Sequence, residues 1–191
     1  YLRPVARSFS DFDKDGAVAN QEGGSSLHED SGRFGKAAEH LVASSCILAS
    51  DLQLNVSTSF VDDEGVDLVF HRRGGTATLG VQVKARSTAT SVVQRAQFIA
   101  NVRQVTFRPR RTLWMLFVVV DKPTATIPLA WFVPSEEFDQ LASRNLAGGA
   151  TRRITASTKP GSNDRWRPYR LDFRQLPGRI LSVLDELEQS P

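Results

Sequence analysis

Residues 113–120 read LWMLFVVV, an unbroken apolar run of eight. A membrane-spanning helix needs about 20 such residues, so the run is too short to cross a bilayer. Its apolar, β-branched and aromatic content is the pattern of a central strand covered on both faces. The chain must therefore supply a sheet around this strand and elements to pack on it. Its 191 residues suffice for one domain with a substantial core and are too few for two comfortable ones.

The flanking sequence fits that frame. Residues 33–49 read as a helix, because Phe34, Ala37, Ala38, Leu41, Val42, Ser45, Ile47 and Leu48 recur near helical spacing, with Ser31 as N-cap. Residues 53–61 have strand character and Asp62-Asp63-Glu64-Gly65 reads as a turn. Val66–His71 is a second strand, and the turn Arg72-Arg73-Gly74-Gly75 leads to a third, Thr76–Arg86. Alternation on the third strand sets Val81, Val83 and Ala85 on one face, with Gln82, Lys84 and Arg86 on the other. Residues 91–103 read as a helix, although their β-branched content also fits a strand. Ile127–Val133 is a further strand, and Ser135 caps a short helix from Glu136 to about Leu146. Arg153–Ser157 is a candidate strand, and a last helix over 176–187 carries Ile180, Leu181, Val183, Leu184 and Leu187 as its apolar stripe. The expected fold is α/β, a mixed central sheet flanked by helices.

Charge separates the chain into two parts. Residues 1–31 hold six acids and three bases, and are short of large apolar residues, so they read as an acidic, flexible leader. The folded domain is expected over 32–191, at a charge of +6. Its basic residues are mostly arginine, 19 against five lysines in the whole chain. Arginine makes forked contacts to phosphate and stacks on flat rings, which suits nucleic acid. One cysteine excludes a disulfide framework and a cysteine-based zinc site. With no basic-then-apolar opening segment and no membrane-length run, the expectation is a cytoplasmic protein.

Four residues carry the chemistry. Glu39 lies on the first helix, Asp67 opens the second strand, and Gln82 and Lys84 share a face of the third. The hairpin brings Asp67 beside the Gln82–Lys84 pair, and a helix packed on that face would add Glu39. Hydrolysing a phosphodiester calls for a hard cation such as magnesium or manganese on oxygen ligands. Asp67 would be the main charged ligand and Glu39 a second carboxylate, while Gln82 offers an amide oxygen and Val83 its carbonyl. Lys84 would position the attacking water or stabilise charge on the phosphate.

The segments GRFGKAAEHLVA (32–43), DDEGVDLVF (62–70) and GVQVKAR (80–86) together resemble the core of the PD-(D/E)XK nuclease superfamily, in its Mrr-like variant with a Q-x-K third motif. The resemblance covers residues 32–120 and leaves 121–191 as a C-terminal extension. It implies a restriction-endonuclease-like αβββαβ core and a metal-dependent DNA endonuclease acting in defence or repair. Glu39 resembles the helix-one glutamate, Asp67 the second-motif aspartate and Lys84 the motif lysine. Gln82 stands where an acid is usual and removes one negative charge, so the alternative is a catalytically silent nucleic-acid-binding or interaction module of the same fold. Duplex cutting by one site per chain favours a homodimer.

Two basic clusters are candidates for nucleic-acid contact. One holds Arg103, Arg108, Arg110 and Arg111, and Arg86 on the third strand is a further candidate. The other, Arg165-Trp166-Arg167-Pro168-Tyr169-Arg170, interleaves arginines with rings that could stack on bases or pack back on the domain. Asp11–Glu22 matches an EF-hand loop pattern with Val18 at its apolar position, but Gly23-Gly24 follows it and no partner loop exists. Calcium binding there is a third, minor reading. His28, His40 and His71 show no metal-ligand spacing, and Cys46 reads as a small core residue.

Overall fold

The computed structural model describes the backbone of residues 19–58, 65–145 and 150–189. The chain divides into two units, residues 1–33 and 34–191. Helix α1 (Ala19–Ala49) carries helix into the stretch read as leader, so Ser31 is inside the helix and does not cap it. Serine and glycine inside a helix cost only about 0.5–1 kcal/mol each, a weak barrier to propagation. Most of the EF-hand pattern (residues 11–18) and the turn residues Asp62, Asp63 and Glu64 lie outside the described residues.

The second unit is a mixed α/β fold. Strands β1 (Leu54–Thr58), β2 (Leu68–Arg72) and β3 (Thr78–Ser87) form an antiparallel meander. Gly74 has φ +81 in the turn between β2 and β3, a left-handed conformation that glycine takes without strain. Strands β5 (Leu113–Asp121) and β6 (Thr126–Pro134) follow, with a short last strand β9 (Arg170–Leu171). The order of the main sheet is β1-β2-β3-β5-β6-β9, and β3–β5 is its parallel pair. Every residue from Leu113 to Val120 is buried, as the opening apolar run requires.

A second, three-stranded sheet, β4 (Gln97–Arg103), β8 (Thr151–Ser157) and β7 (Ser143–Asn145), pairs in the order β4-β8-β7. Here the expected helix over 91–103 is corrected. Only a single turn, α2 (Ser91–Gln94), is helical, and the rest is β4. Phe98, Ala100 and Val102 are buried while Gln97, Asn101 and Arg103 are exposed, a period of two that only a strand satisfies. Ala96, at φ +60, ends the turn and starts the strand. Helix α3 (Ser135–Leu141) is shorter than expected, because the chain turns into β7. Pro134 is its N-cap, and the Ser135 hydroxyl instead bonds the backbone N–H and carbonyl of Arg110, each at 2.9 Å.

The two faces of the main sheet carry separate cores. Ala38, Val42 and Cys46 of α1, with Ile180, Val183 and Leu184 of the last helix α4 (Leu176–Glu188), pack on Leu79, Val81, Val83, Trp114, Leu116 and Val118. On the other face, Met115, Phe117 and Val119 meet Phe98 and Val102 of β4, Ile154 of β8 and Phe138 of α3. No described helix is long and apolar enough to cross a membrane.

Candidate functional site

The site forms where β2 stops. β2 pairs with β3 only up to Leu68 opposite Val81, and beyond that point no described strand pairs with this flank of β3. Asp67 N–H still donates to Val81 O at 3.0 Å. The Asp67 carboxylate then accepts Val83 N–H at 2.7 Å, replacing the carbonyl that a continued strand would have supplied. Asp67 as a whole is 8 % exposed, and this bond fixes its carboxylate. In an extended strand the N–H and C=O of one residue point to the same edge, so the Val83 carbonyl faces the flank that Asp67 occupies.

Gln82 lies opposite Asp67 and pairs with Met115 on the other side, on the face of the second core. It is 5 % exposed, and its Oε1 is buried without a hydrogen-bond partner. A buried acceptor left unpaired costs about 1–3 kcal/mol. Gly65 sits against the same amide. It has φ +67, and a Cβ there would lie 3.0 Å from Gln82 Nε2 and 3.6 Å from Thr106 O. Both conformation and space demand glycine at this position, a second role beyond the turn expected from the sequence. Lys84 shares the face of Gln82, is partly buried, and makes no hydrogen bond or ion pair among the described residues.

Glu39 is placed differently from the expectation. α1 packs on the face of β3 that carries Val81 and Val83, opposite to Gln82 and Lys84. Glu39 is buried at 9 % exposure, and its carboxylate accepts Lys36 Nζ at 2.8 Å. A helical period and a strand period do not reveal which face of the sheet a helix covers, so this separation was invisible in the sequence. Among the described residues no three His, Cys, Asp or Glu side chains cluster as metal ligands. The Asp67 carboxylate and the Val83 carbonyl share this flank of β3, and Gln82, next along the strand, adds a buried neutral amide oxygen. One charged and two neutral hard oxygens suit a magnesium-like cation and are poor ligands for a soft metal.

The basic clusters are mostly braced to the fold. Arg86 donates to Ile99 O at 2.9 Å and to Ala85 O at 3.1 Å, and burial holds its pKa below the ordinary arginine value. Arg110 donates to Arg108 O, and Arg111 to Glu186 O at 3.0 Å. In the second cluster, Arg165 bonds Leu141 O, Arg167 bonds Asn163, and Arg170 clamps Lys159 O and Thr158 O. Trp166 corrects the base-stacking expectation. It is 1 % exposed, with ring centroids 5.9 Å from Phe138 and 6.4 Å from Tyr169, so no face is left for a base. The Tyr169 hydroxyl is held in turn by Glu137. Arg108, exposed in the β4–β5 connection, bonds Gln104 O and Phe107 O. Cys46 is buried, and burial pushes its pKa up to about 12, so it is a core thiol and not a nucleophile.

No protein-family model matches the chain, and no curated protein matches it. Among solved structures, it is similar to the bacterial homing endonuclease I-Ssp6803I, at 18% identity and TM-score 0.45 over 78% of this chain and 94% of that one. It is also similar to D212, a nuclease from a fusselovirus, at 9% identity and TM-score 0.42 over 83% and 92% of the two chains. These are partial likenesses of backbone path, and the reading of the site rests on this chain's own residues.

Proposed function

We propose that the chain is a metal-dependent endonuclease that hydrolyses phosphodiester bonds in DNA, a PD-(D/E)XK-type site with glutamine in the third motif. One observation carries the reading: the unpartnered Gln82 Oε1, buried opposite the Asp67 carboxylate and beside the flank that the Val83 carbonyl faces. Magnesium or manganese held by Asp67, Gln82 and Val83 would supply Lewis-acid charge to a phosphoryl oxygen and lower the pKa of a bound water.

The chain's own groups do the rest. Val83 N–H fixes the Asp67 carboxylate, so it needs no reorganisation when charge develops. Gln82 supplies an oxygen without charge. Lys84, with no partner among the described residues, offers its ammonium to the negative charge that builds on phosphorus as water adds and the ester P–O bond breaks. Glu39, on the opposite face and bonded to Lys36, stands apart from these oxygens. A homodimer would give two such sites for cutting both strands of a duplex, and defence or repair is the setting such an activity fits.

The neutral Gln82 favours one rival, a nucleic-acid-binding module without turnover. A nuclease assay with magnesium or manganese on duplex and single-stranded DNA and on RNA decides between them. We expect metal-dependent cleavage of DNA that is lost in Asp67→Ala and Lys84→Ala proteins that still fold. Salt-sensitive binding with no turnover, unchanged by Asp67→Ala, would establish the rival.

A further inference from the structure

The connection between β4 and β5 presents an apolar tip that the fold does not need. Val105 is 77 % exposed, whereas Phe107, two residues on, is buried and packs edge-to-face on Phe138 at 5.6 Å. A single exposed valine is ordinary on a protein surface. This one differs in how it is held and in what surrounds it. The tip is closed by Phe107 N–H to Arg103 O at 3.2 Å and tied to the residue before β8 by Gln104 N–H to Ala150 O at 3.0 Å. Arg108 Nη1 staples it again, to Gln104 O at 3.3 Å and Phe107 O at 3.2 Å. Farther along, Arg110 is pinned on both backbone groups by Ser135. The valine therefore stands on a braced loop.

The same loop touches the site. Thr106 O lies 3.6 Å from where a Cβ on Gly65 would sit, and that point is 3.0 Å from the Gln82 amide. The loop that carries Val105 thus passes beside Gly65 and, through it, beside the Gln82 amide. Arg103 and Arg108 stand two residues before it and three after it, both exposed, and the Arg103 guanidinium has no hydrogen bond or ion pair among the described residues.

Resting on the nuclease reading, we infer that the Arg103–Arg108 tip is a wedge for duplex DNA: Val105 enters a base step beside the bond offered to Asp67, Gln82 and Lys84, with Arg103 and Arg108 on the adjoining phosphates. Apolar side chains that part base steps kink the duplex and let more protein surface reach it. A β-branched side chain on a fixed backbone suits this, since little rotamer freedom is lost on insertion. The arginines hold position without reading sequence. A valine is short, so the wedge opens a step without filling it, and a longer side chain should open it further.

The test uses duplexes carrying 2-aminopurine at successive steps, bound by the full chain without divalent metal so that no strand is cut. Wild type should raise the fluorescence several-fold at one step, and Val105→Leu should match or exceed it. Val105→Ser should bind but lose the signal, and with magnesium it should cleave about tenfold more slowly, the scale of one lost unstacking contribution. Arg103→Ala should weaken binding and lower the salt slope by about one while the bound complex keeps its signal. An unchanged signal in Val105→Ser overturns the wedge, and if wild type cleaves duplex DNA the nuclease reading survives it. A wild type that neither binds nor cleaves duplex DNA overturns both.

Discussion

Gln82→Glu is the most informative single substitution at the site, because it adds a charge while keeping the shape of the side chain. Gln82 is 5 % exposed, lies opposite the buried Asp67 carboxylate, and has no partner for Oε1. Without a cation the new carboxylate is buried, unpaired and next to a like charge. That destabilises by about 3 kcal/mol, the upper range for an unsatisfied buried group. For a chain of this size the melting temperature should fall by about 6–12 °C. Burial and Asp67 both push the new carboxyl's pKa above that of an unfolded glutamate. The folded state then keeps a proton that the unfolded state has released, so stability falls as pH rises above roughly 4.3. At lower pH the variant should melt like wild type. Magnesium offsets most of this loss, because two carboxylates hold the cation better than one. Saturation at about 100 Kd returns about 2.7 kcal/mol. The assay is scanning calorimetry of both proteins at pH 5 and 8, with chelator and with titrated magnesium. If magnesium raises the melting temperature of the variant no more than that of wild type, Gln82 Oε1 does not face a cation site.

Two further outcomes follow from the packing. Trp166→Ala removes a side chain that is 1 % exposed and should destabilise the fold by about 3–5 kcal/mol; denaturant melts measure this, and DNA affinity at a temperature where the variant is folded should not change. Cys46, raised by burial to about 12, should resist a thiol reagent at pH 8 in the native protein and react once unfolded; because the unfolded thiol ionises first, near pH 9, native stability should decline from there upward, and prompt native reaction would contradict the burial.

What could be read from the sequence follows where a single physical signal decides the outcome. The run at 113–120 specified a strand with cover on both sides, and the Gly74-Gly75 turn specified the β2–β3 pairing. The alternation on β3 placed Gln82 and Lys84 together. Residues 97–103 failed because their apolar residues sit at both helical and strand spacing in so short a window, and pairing with β8 chose the strand. Arginine counts are ambiguous for a different reason. A guanidinium bonds a carbonyl as readily as a phosphate, and Arg86, Arg165 and Arg170 are spent on carbonyls that only the fold brings near.

The place where β2 stops accounts for both the site and its unusual glutamine. Had β2 continued past Asp67, the Val83 carbonyl would take a ladder N–H, and a strand residue would cover Gln82. Instead Gly65 has φ +67, a left-handed conformation outside the strand region, and the Asp67 side chain replaces the missing ladder acceptor for Val83 N–H. Ending the ladder early thus leaves oxygens facing one flank, at the expense of backbone hydrogen bonds that the strand could have made. Asp67 is already an 8 % exposed carboxylate there. A second carboxylate at position 82 would strain the cation-free fold, whereas an amide presents the same oxygen without that penalty. Glutamine therefore favours stability without the cation over affinity for it, and the magnesium dependence of the Gln82→Glu melt measures the size of that exchange.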